Sequence, residues 1–131
     1  MTVRPFLVNG EWRTGSESFE VRSPYDDSVV AEVGVPGADD VEEAIATAAE
    51  TFPESSRLPV HARAEALDHI SRRLGETIQE NAELIAKEGG KPLKWAKVEA
   101  TRAVSTFRWA SELIRSGDDE LIRLDTEASL D

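Results

Sequence analysis

The sequence of 131 residues contains no cysteine. By itself the chain can therefore form no disulfide, no thiolate metal site and no cysteine nucleophile. Long apolar runs are also missing, and no stretch approaches the roughly 20 residues that a membrane-spanning helix requires. The first ten residues, MTVRPFLVNG, lack the apolar run and the small-residue cleavage site of a signal peptide. We therefore expect a cytoplasmic protein.

Basic residues are also few in comparison with acidic ones. The 15 basic residues face 26 acidic ones, which gives a formal net charge of −11. Nucleic acids and anionic membranes are bound chiefly by Lys and Arg that neutralise phosphate, so neither is expected as a partner. Much of the acidic excess lies on predicted helix surfaces, such as residues 39–44. This charge is interpreted either as a solubilising face or as an adaptation to a salty cytoplasm.

The composition changes near residue 38, and residues 1–37 have the pattern of strands and turns. Asn9-Gly10 stands between two short alternating segments, and this dipeptide favours a tight hairpin because both residues tolerate positive φ. We expect residues 6–8 to pair with residues 11–13. Two further strands are predicted at residues 19–22 and 29–33, where β-branched and aromatic residues are frequent.

Residues 38–117 have a helical pattern. Apolar residues recur at spacings of three and four, which predicts three long helices over residues 40–52, 60–88 and 92–116. Residues 118–131 are interpreted as a short strand at 120–124 or a tail. The sequence therefore predicts an α/β fold in a single, incomplete domain, with a hairpin and short strands followed by three long helices.

The segment EGGKP at residues 88–92 invites comparison with a phosphate-binding loop. Such a loop requires a preceding strand and a Ser or Thr directly after its lysine. Here a predicted helix precedes the glycines, and Pro92 follows Lys91. Glycine commonly ends a helix and proline suits the first turn of the next one. We interpret the segment as a junction between two helices.

Composition and spacing identify no catalytic or metal-binding constellation. His61 and His69 are eight residues apart, which is too far on a helix to chelate one ion. The acidic residues at 39–43 fit a helix N-terminus better than a cation loop. No nucleophile elbow or Ser–His pairing is present. No metal site is expected.

The third predicted helix carries a mixed stripe of aromatic, apolar and basic residues. Its members fall three or four residues apart and therefore share one side of the helix. The opposite side is apolar and small, so we expect the helix to be covered on both sides. Arg102 in the mixed stripe is interpreted either as a cation–π and packing element or as an anion ligand at the edge of a site. The stripe consists of Trp95, Val98, Arg102, Ser105 and Trp109.

A series of motifs in this chain, taken in order, resembles the start of an aldehyde dehydrogenase superfamily enzyme. The most specific of them are the NGEW hairpin and the Glu-x-Gly-Lys-Pro helix junction. The resemblance implies NAD(P)-dependent oxidation of an aldehyde to an acid through a cysteine thiohemiacetal. It also implies that this section opens the cofactor-binding domain. The motifs are LVNGEWRTG, SP followed by VVAEV, VPGADDVEEAIATAAETF, RAEALDHISRRL, LIAKEGGKPLKWAKVEATRA and FRWASE.

In the family, the nucleotide loop, the oxyanion asparagine, the glutamate base and the cysteine nucleophile all come later than the section that this chain resembles. Catalysis of this type depends on a thiolate, so we expect the chain alone to be inactive and to bind neither NAD nor NADP. The resemblance implies an N-terminal fragment or subunit whose partner is the remaining C-terminal part, and it is compatible with a homo-oligomer. The alternative is a non-catalytic helical interaction module derived from the family.

Only a contribution to the substrate pocket can be carried over residue by residue. Val98 and Arg102 match helix positions that line the aldehyde entrance in the family. An arginine at the second position resembles the one that contacts the phosphate in non-phosphorylating glyceraldehyde-3-phosphate dehydrogenases, and it also resembles semialdehyde and lactaldehyde members. The resemblance implies no catalytic and no cofactor-binding residue within this chain.

Overall fold

The computed structural model describes residues 2–117 of the chain and contains two small antiparallel sheets followed by helices. The order of elements confirms the α/β fold with its strands before its helices. The elements are β1 (Phe6–Val8), β2 (Glu11–Arg13), β3 (Glu17–Arg22), β4 (Val29–Val35), α1 (Ala38–Ser55), α2 (Val60–Glu76), α3 (Ile78–Gly89) and α4 (Leu93–Ser116).

The predicted hairpin forms at the predicted residues. β1 and β2 pair antiparallel with Leu7 opposite Trp12. Asn9 and Gly10 have φ values of 49° and 79°, the two positive angles that a two-residue hairpin turn requires. The local preference of this dipeptide therefore decides the register of the first sheet.

β3 and β4 form the second sheet and extend beyond their predicted limits. β3 begins at Glu17 rather than residue 19, and β4 continues to Val35 rather than residue 33. The backbone of Arg4 joins this sheet, because its N–H donates to Glu32 O at 2.8 Å and its carbonyl accepts from Gly34 N at 3.0 Å. The segment before the hairpin is thereby fixed to the edge of β4.

The second predicted helix is the main difference between sequence and structure. One helix was expected over residues 60–88, but α2 ends at Glu76 and α3 begins at Ile78. Thr77 between them has φ −115° and ψ 17°, and its hydroxyl accepts a hydrogen bond from Asn81 Nδ2 at 2.9 Å. Residues 2–117 thus form four helices instead of the three predicted. The apolar spacing continues across Thr77, so it could not reveal the break.

Small residues form the core where α4 packs against α2 and α3. Ala82, Ala96 and Ala100 are buried together, and Ile78 and Ile85 pack against them. Alanine at a helix contact lets two helix axes approach closely, because no long side chain stands between the backbones. α4 is therefore held firmly along one side.

The EGGKP segment is a helix junction, as predicted. Gly90 follows α3 with φ 64°, in the left-handed region, which glycine adopts without steric cost. Pro92 precedes α4, and its carbonyl accepts from Trp95 N at 2.8 Å. The strand predicted over residues 120–124 lies outside the described residues. Among the helices of residues 2–117, none has the length and apolar character needed to cross a membrane.

Candidate functional site

The two sides of α4 differ sharply in burial. On the inner side, Ala96, Ala100 and Ser111 are buried. On the outer side, Trp95 is 56% exposed and Trp109 is 63% exposed. The expectation that both sides are covered is therefore wrong within the part of the chain that the structure describes, since α2 and α3 cover the inner side alone. The mixed stripe faces outward.

A groove of about 560 Å³ runs along this outward side. Val98 and Arg102 lie one turn apart on α4 and both line it, so the structure brings together the two residues that sequence reasoning singled out. Trp95 and Glu99 flank them on the same helix, and Lys91 approaches from the α3–α4 junction. The full lining is Lys91, Trp95, Val98, Glu99, Arg102, Ala103 and Thr106.

The two basic residues of the groove, Lys91 and Arg102, differ in their ion pairing. The Lys91 amine forms an ion pair with the Glu99 carboxylate, so the lysine of the EGGKP segment has a structural partner. Arg102 is exposed, and among residues 2–117 no carboxylate lies within ion-pair distance of its guanidinium. Among residues 2–117, the guanidinium of Arg102 is therefore a positive group of the groove with no ion-pair partner.

The described residues show a cation–π contact at one end of the groove, but it does not involve Arg102. The Lys94 amine lies 5.3 Å from the centroid of the Trp95 ring. Of the two interpretations of Arg102, the cation–π one finds no counterpart among the described contacts. The packing and the anion-ligand interpretations both stay predictions, and the open groove suits the second because a guanidinium presents several N–H donors in one plane.

The histidines and the acidic residues at 39–43 were the candidate metal ligands of the sequence. His61 and His69 are exposed on α2. Among residues 2–117, no three His, Asp or Glu side chains come together in a way that could hold an ion. Asp40 from the acidic cluster instead accepts a hydrogen bond from Gly37 N at 2.9 Å. It thereby satisfies a backbone donor at the start of α1, as a capping residue does.

Sequence reasoning missed the role of Arg13, whose partners are distant along the chain. Its guanidinium lies 3.0 Å from Asp40 Oδ1 and 2.8 Å from Glu43 Oε2, and so joins β2 to α1. The hydrogen bond from Gly37 N, followed by that from Arg13, lowers the pKa of Asp40 below its ordinary value. The hydrogen bond from Arg13 also lowers the pKa of Glu43. With about 30 residues between the partners, no local pattern could predict this cluster.

A sequence profile of the aldehyde dehydrogenase family matches residues 12–130. Lactaldehyde dehydrogenase from Methanocaldococcus jannaschii is 30% identical over 119 residues, which are 91% of this chain and 26% of that protein. 3-Sulfolactaldehyde dehydrogenase from Priestia aryabhattai is 33% identical over 105 residues, 80% of this chain and 22% of that protein. The chain therefore spans about a quarter of the length of these curated relatives.

A solved structure of a similar dehydrogenase has the same fold over this section. Glyceraldehyde-3-phosphate dehydrogenase GapN from Methanocaldococcus jannaschii, complexed with NADP, superimposes with a TM-score of 0.75 at 30% identity. The superposition covers 84% of this chain and 24% of that one. The arrangement of short sheets and helices described above is thus found within a much longer dehydrogenase chain.

Proposed function

The chain belongs to the aldehyde dehydrogenase family, and we propose that it forms the N-terminal portion of an enzyme that oxidises an aldehyde to a carboxylic acid. The observation that carries this proposal is the family match over residues 12–130, together with a share of only about a quarter of each relative. The chain has no cysteine, and the family reaction requires a thiolate. This portion therefore acts together with the portion that holds the nucleophile, in the same polypeptide or in a second one.

The cofactor of the complete enzyme is NAD or NADP, as in the family. Support comes from the similar glyceraldehyde-3-phosphate dehydrogenase, whose structure contains NADP. In the family, the section that this chain resembles comes before the nucleotide loop. We therefore expect the isolated chain to bind neither NAD nor NADP. The enzyme is expected in the cytoplasm. A non-catalytic interaction module is the weaker alternative, because the family profile and the relatives named above all belong to dehydrogenases.

The substrate contribution of this chain lies in the groove of α4. Val98 provides an apolar wall and Arg102 a guanidinium with no carboxylate partner among the described residues. A guanidinium binds carboxylate, sulfonate or phosphate through two parallel N–H donors. Two of the similar enzymes are named for aldehydes that carry such a group, 3-sulfolactaldehyde and glyceraldehyde-3-phosphate. These points support an aldehyde with an anionic group at the end opposite the reacting carbonyl.

The experiment compares matched substrates on the enzyme that contains this chain. A tag on the chain, introduced at its native locus, recovers it together with the rest of the enzyme. Reduction of NAD⁺ and of NADP⁺ is then followed with succinic semialdehyde and with butanal, which have the same number of carbons but differ in charge. We expect reduction with both aldehydes and a lower KM for the anionic one.

The assay tests the dehydrogenase function and the anionic character of the substrate separately. No reduction of either cofactor with a broad panel of aldehydes would remove the dehydrogenase function. Reduction with a lower KM for butanal would keep that function and remove the anionic substrate. The two KM values can be compared directly because both aldehydes reach the same catalytic residues.

A further inference from the structure

Glu99 is the acidic residue of α4 that lies nearest to Arg102 along the helix surface. Residues three and four apart on a helix are neighbours, and an acid that precedes a base in this way is the favoured order for an ion pair. The positions at these distances from Arg102 are 98, 99, 105 and 106, and Glu99 is the acidic residue among them. The helix by itself therefore favours a pair between Glu99 and Arg102.

The structure shows a different pair. The Lys91 amine donates a hydrogen bond to the Glu99 carboxylate, and among residues 2–117 no carboxylate forms an ion pair with Arg102. Lys91 precedes Glu99 by eight residues and lies in the junction between α3 and α4, outside both helices. All three side chains line the same groove. Lys91 and Arg102 thus compete for one carboxylate, and Lys91 holds it.

The junction restricts the backbone on both sides of Lys91. Gly90 before it has φ 64°, and Pro92 after it disfavours a helical conformation of the residue that it follows. A Cβ on Gly90 would lie 3.4 Å from the Pro24 ring, so the chain between β3 and β4 also approaches this turn. Lys91 is therefore held at a defined place beside the first turns of α4, from which its amine reaches Glu99.

We propose that Lys91 is a positioning residue for substrate binding, because its ion pair with Glu99 keeps this carboxylate from pairing with Arg102. The inference rests on the proposed function, since it takes Arg102 to bind the anionic group of the aldehyde. A Glu99 carboxylate on Arg102 would have to be displaced by each substrate molecule. It would also repel the incoming anion, as like charges do in an interface. A neutral aldehyde would experience neither effect.

Exposure sets the size of the expected effect. The Lys91 and Glu99 side chains are 42% and 52% exposed, and ion pairs in contact with water contribute little free energy. Release of Glu99 should therefore weaken binding of an anionic aldehyde by only about two- to fivefold. This loss is smaller than the one expected when the guanidinium of Arg102 itself is removed.

The test measures KM and kcat of the enzyme recovered through the tag, with succinic semialdehyde and with butanal. Lys91→Met removes the charge and keeps an unbranched side chain. We expect it to raise KM for succinic semialdehyde about two- to fivefold, with KM for butanal and both kcat values unchanged. Adding Glu99→Gln to Lys91→Met should restore the original KM, because no carboxylate is then released. Lys91→Arg keeps the charge and should keep the original KM.

The double variant separates this role from the other roles that Lys91 could have. A KM for succinic semialdehyde that stays raised in the double variant would show that Lys91 binds the anion directly, and would overturn the proposal. An equal rise of KM for both aldehydes, or a lower kcat for both, would show a structural role and would also overturn it. Arg108→Met is the matched control, since it releases Glu112 on another side of α4. It should leave both KM values unchanged.

The same assays distinguish this proposal from the proposed function. If Arg102→Leu raises KM for succinic semialdehyde selectively while Lys91→Met does not, the role of Lys91 is wrong and the anionic substrate stands. If Arg102→Leu has no selective effect, Arg102 is not the anion ligand and the role of Lys91 is wrong with it. If the enzyme without substitutions oxidises no aldehyde, the dehydrogenase function itself is wrong, and this inference falls with it.

Discussion

The hydroxyl of Ser111 donates a hydrogen bond to the carbonyl oxygen of Ala64 across the contact between α4 and α2, at 3.0 Å. Both residues are fully buried, so the two helices meet with almost no side chain between them. Ser71 repeats the arrangement further along, where its hydroxyl donates to Val104 O at 2.9 Å. This close contact holds the inner side of α4 and leaves its outer side to form the groove that Val98 and Arg102 line.

Replacing Ser111 with a larger residue should therefore destabilise the fold. Ser111→Leu inserts a bulky side chain where the helices touch, and overpacking of this kind costs about 1–3 kcal/mol of the free energy of unfolding. Ser105→Leu on the exposed side of the same helix is the matched control and should change that energy by less than about 0.5 kcal/mol. Urea denaturation of the two variants measures the difference. Equal midpoints would contradict the close contact.

Replacement of Gly34 and of Gly75 by alanine should change the free energy of unfolding in opposite directions. A methyl group on Gly34 would lie 2.2 Å from the Thr14 carbonyl oxygen, whereas one on Gly75 meets nothing within 4 Å. Gly34→Ala should lower the free energy of unfolding by about 1–3 kcal/mol, because backbone atoms must move apart. Gly75→Ala in α2 should raise it by about 0.5–1 kcal/mol, since alanine favours helices. Denaturation of both variants tests the pair, and a loss in each would count against this geometry.

The ion pairs of Arg13 should make stability depend on pH. Hydrogen bonds, including those from Arg13, lower the pKa of Asp40 and Glu43 from ordinary values of 3.8 and 4.5. Carboxylates with a lowered folded pKa stabilise the fold fully above their unfolded pKa, and that contribution is lost as the pH falls through the folded pKa. Arg13→Met should flatten the fall in stability between about pH 5 and about pH 3. Parallel slopes for the two proteins would contradict this origin.

Arg102 should discriminate between substrates in the complete enzyme. A hydrogen-bonded charge pair contributes about 1.5–3 kcal/mol, so Arg102→Leu should raise KM for succinic semialdehyde about 10- to 100-fold. KM for butanal should change little. Arg108→Leu is the control, because Arg108 is exposed on another side of α4 and pairs with Glu112 at 3.0 Å. Equal effects of Arg102→Leu on the two aldehydes would remove Arg102 from anion recognition.

The features that sequence could predict are those decided by local chemistry. Asn9-Gly10 specified the hairpin and its register, because few other dipeptides accept two positive φ angles. Gly90 and Pro92 specified the junction before α4 for a similar reason. Helical spacing placed Val98 and Arg102 on one side of α4, and the order of motifs identified the family.

The features that sequence could not predict depend on contacts between distant residues. The end of α2 at Thr77 interrupts no apolar pattern, so periodicity passes through it. The ion pair of Arg13 with Glu43 joins β2 to α1 across about 30 residues of sequence. The exposure of the outer side of α4 depends on which other elements pack on it. The mixed stripe of that side does not reveal this by itself.

We propose that this chain is a necessary portion of an aldehyde dehydrogenase and is inactive without the rest of the enzyme. The most direct measurement is the rate of NADH or NADPH formation from succinic semialdehyde, compared at equal concentration for the isolated 131-residue chain and for the enzyme recovered with it. We predict turnover by the recovered enzyme and none by the isolated chain. Turnover by the isolated chain, or none by the recovered enzyme with any aldehyde, would contradict this proposal.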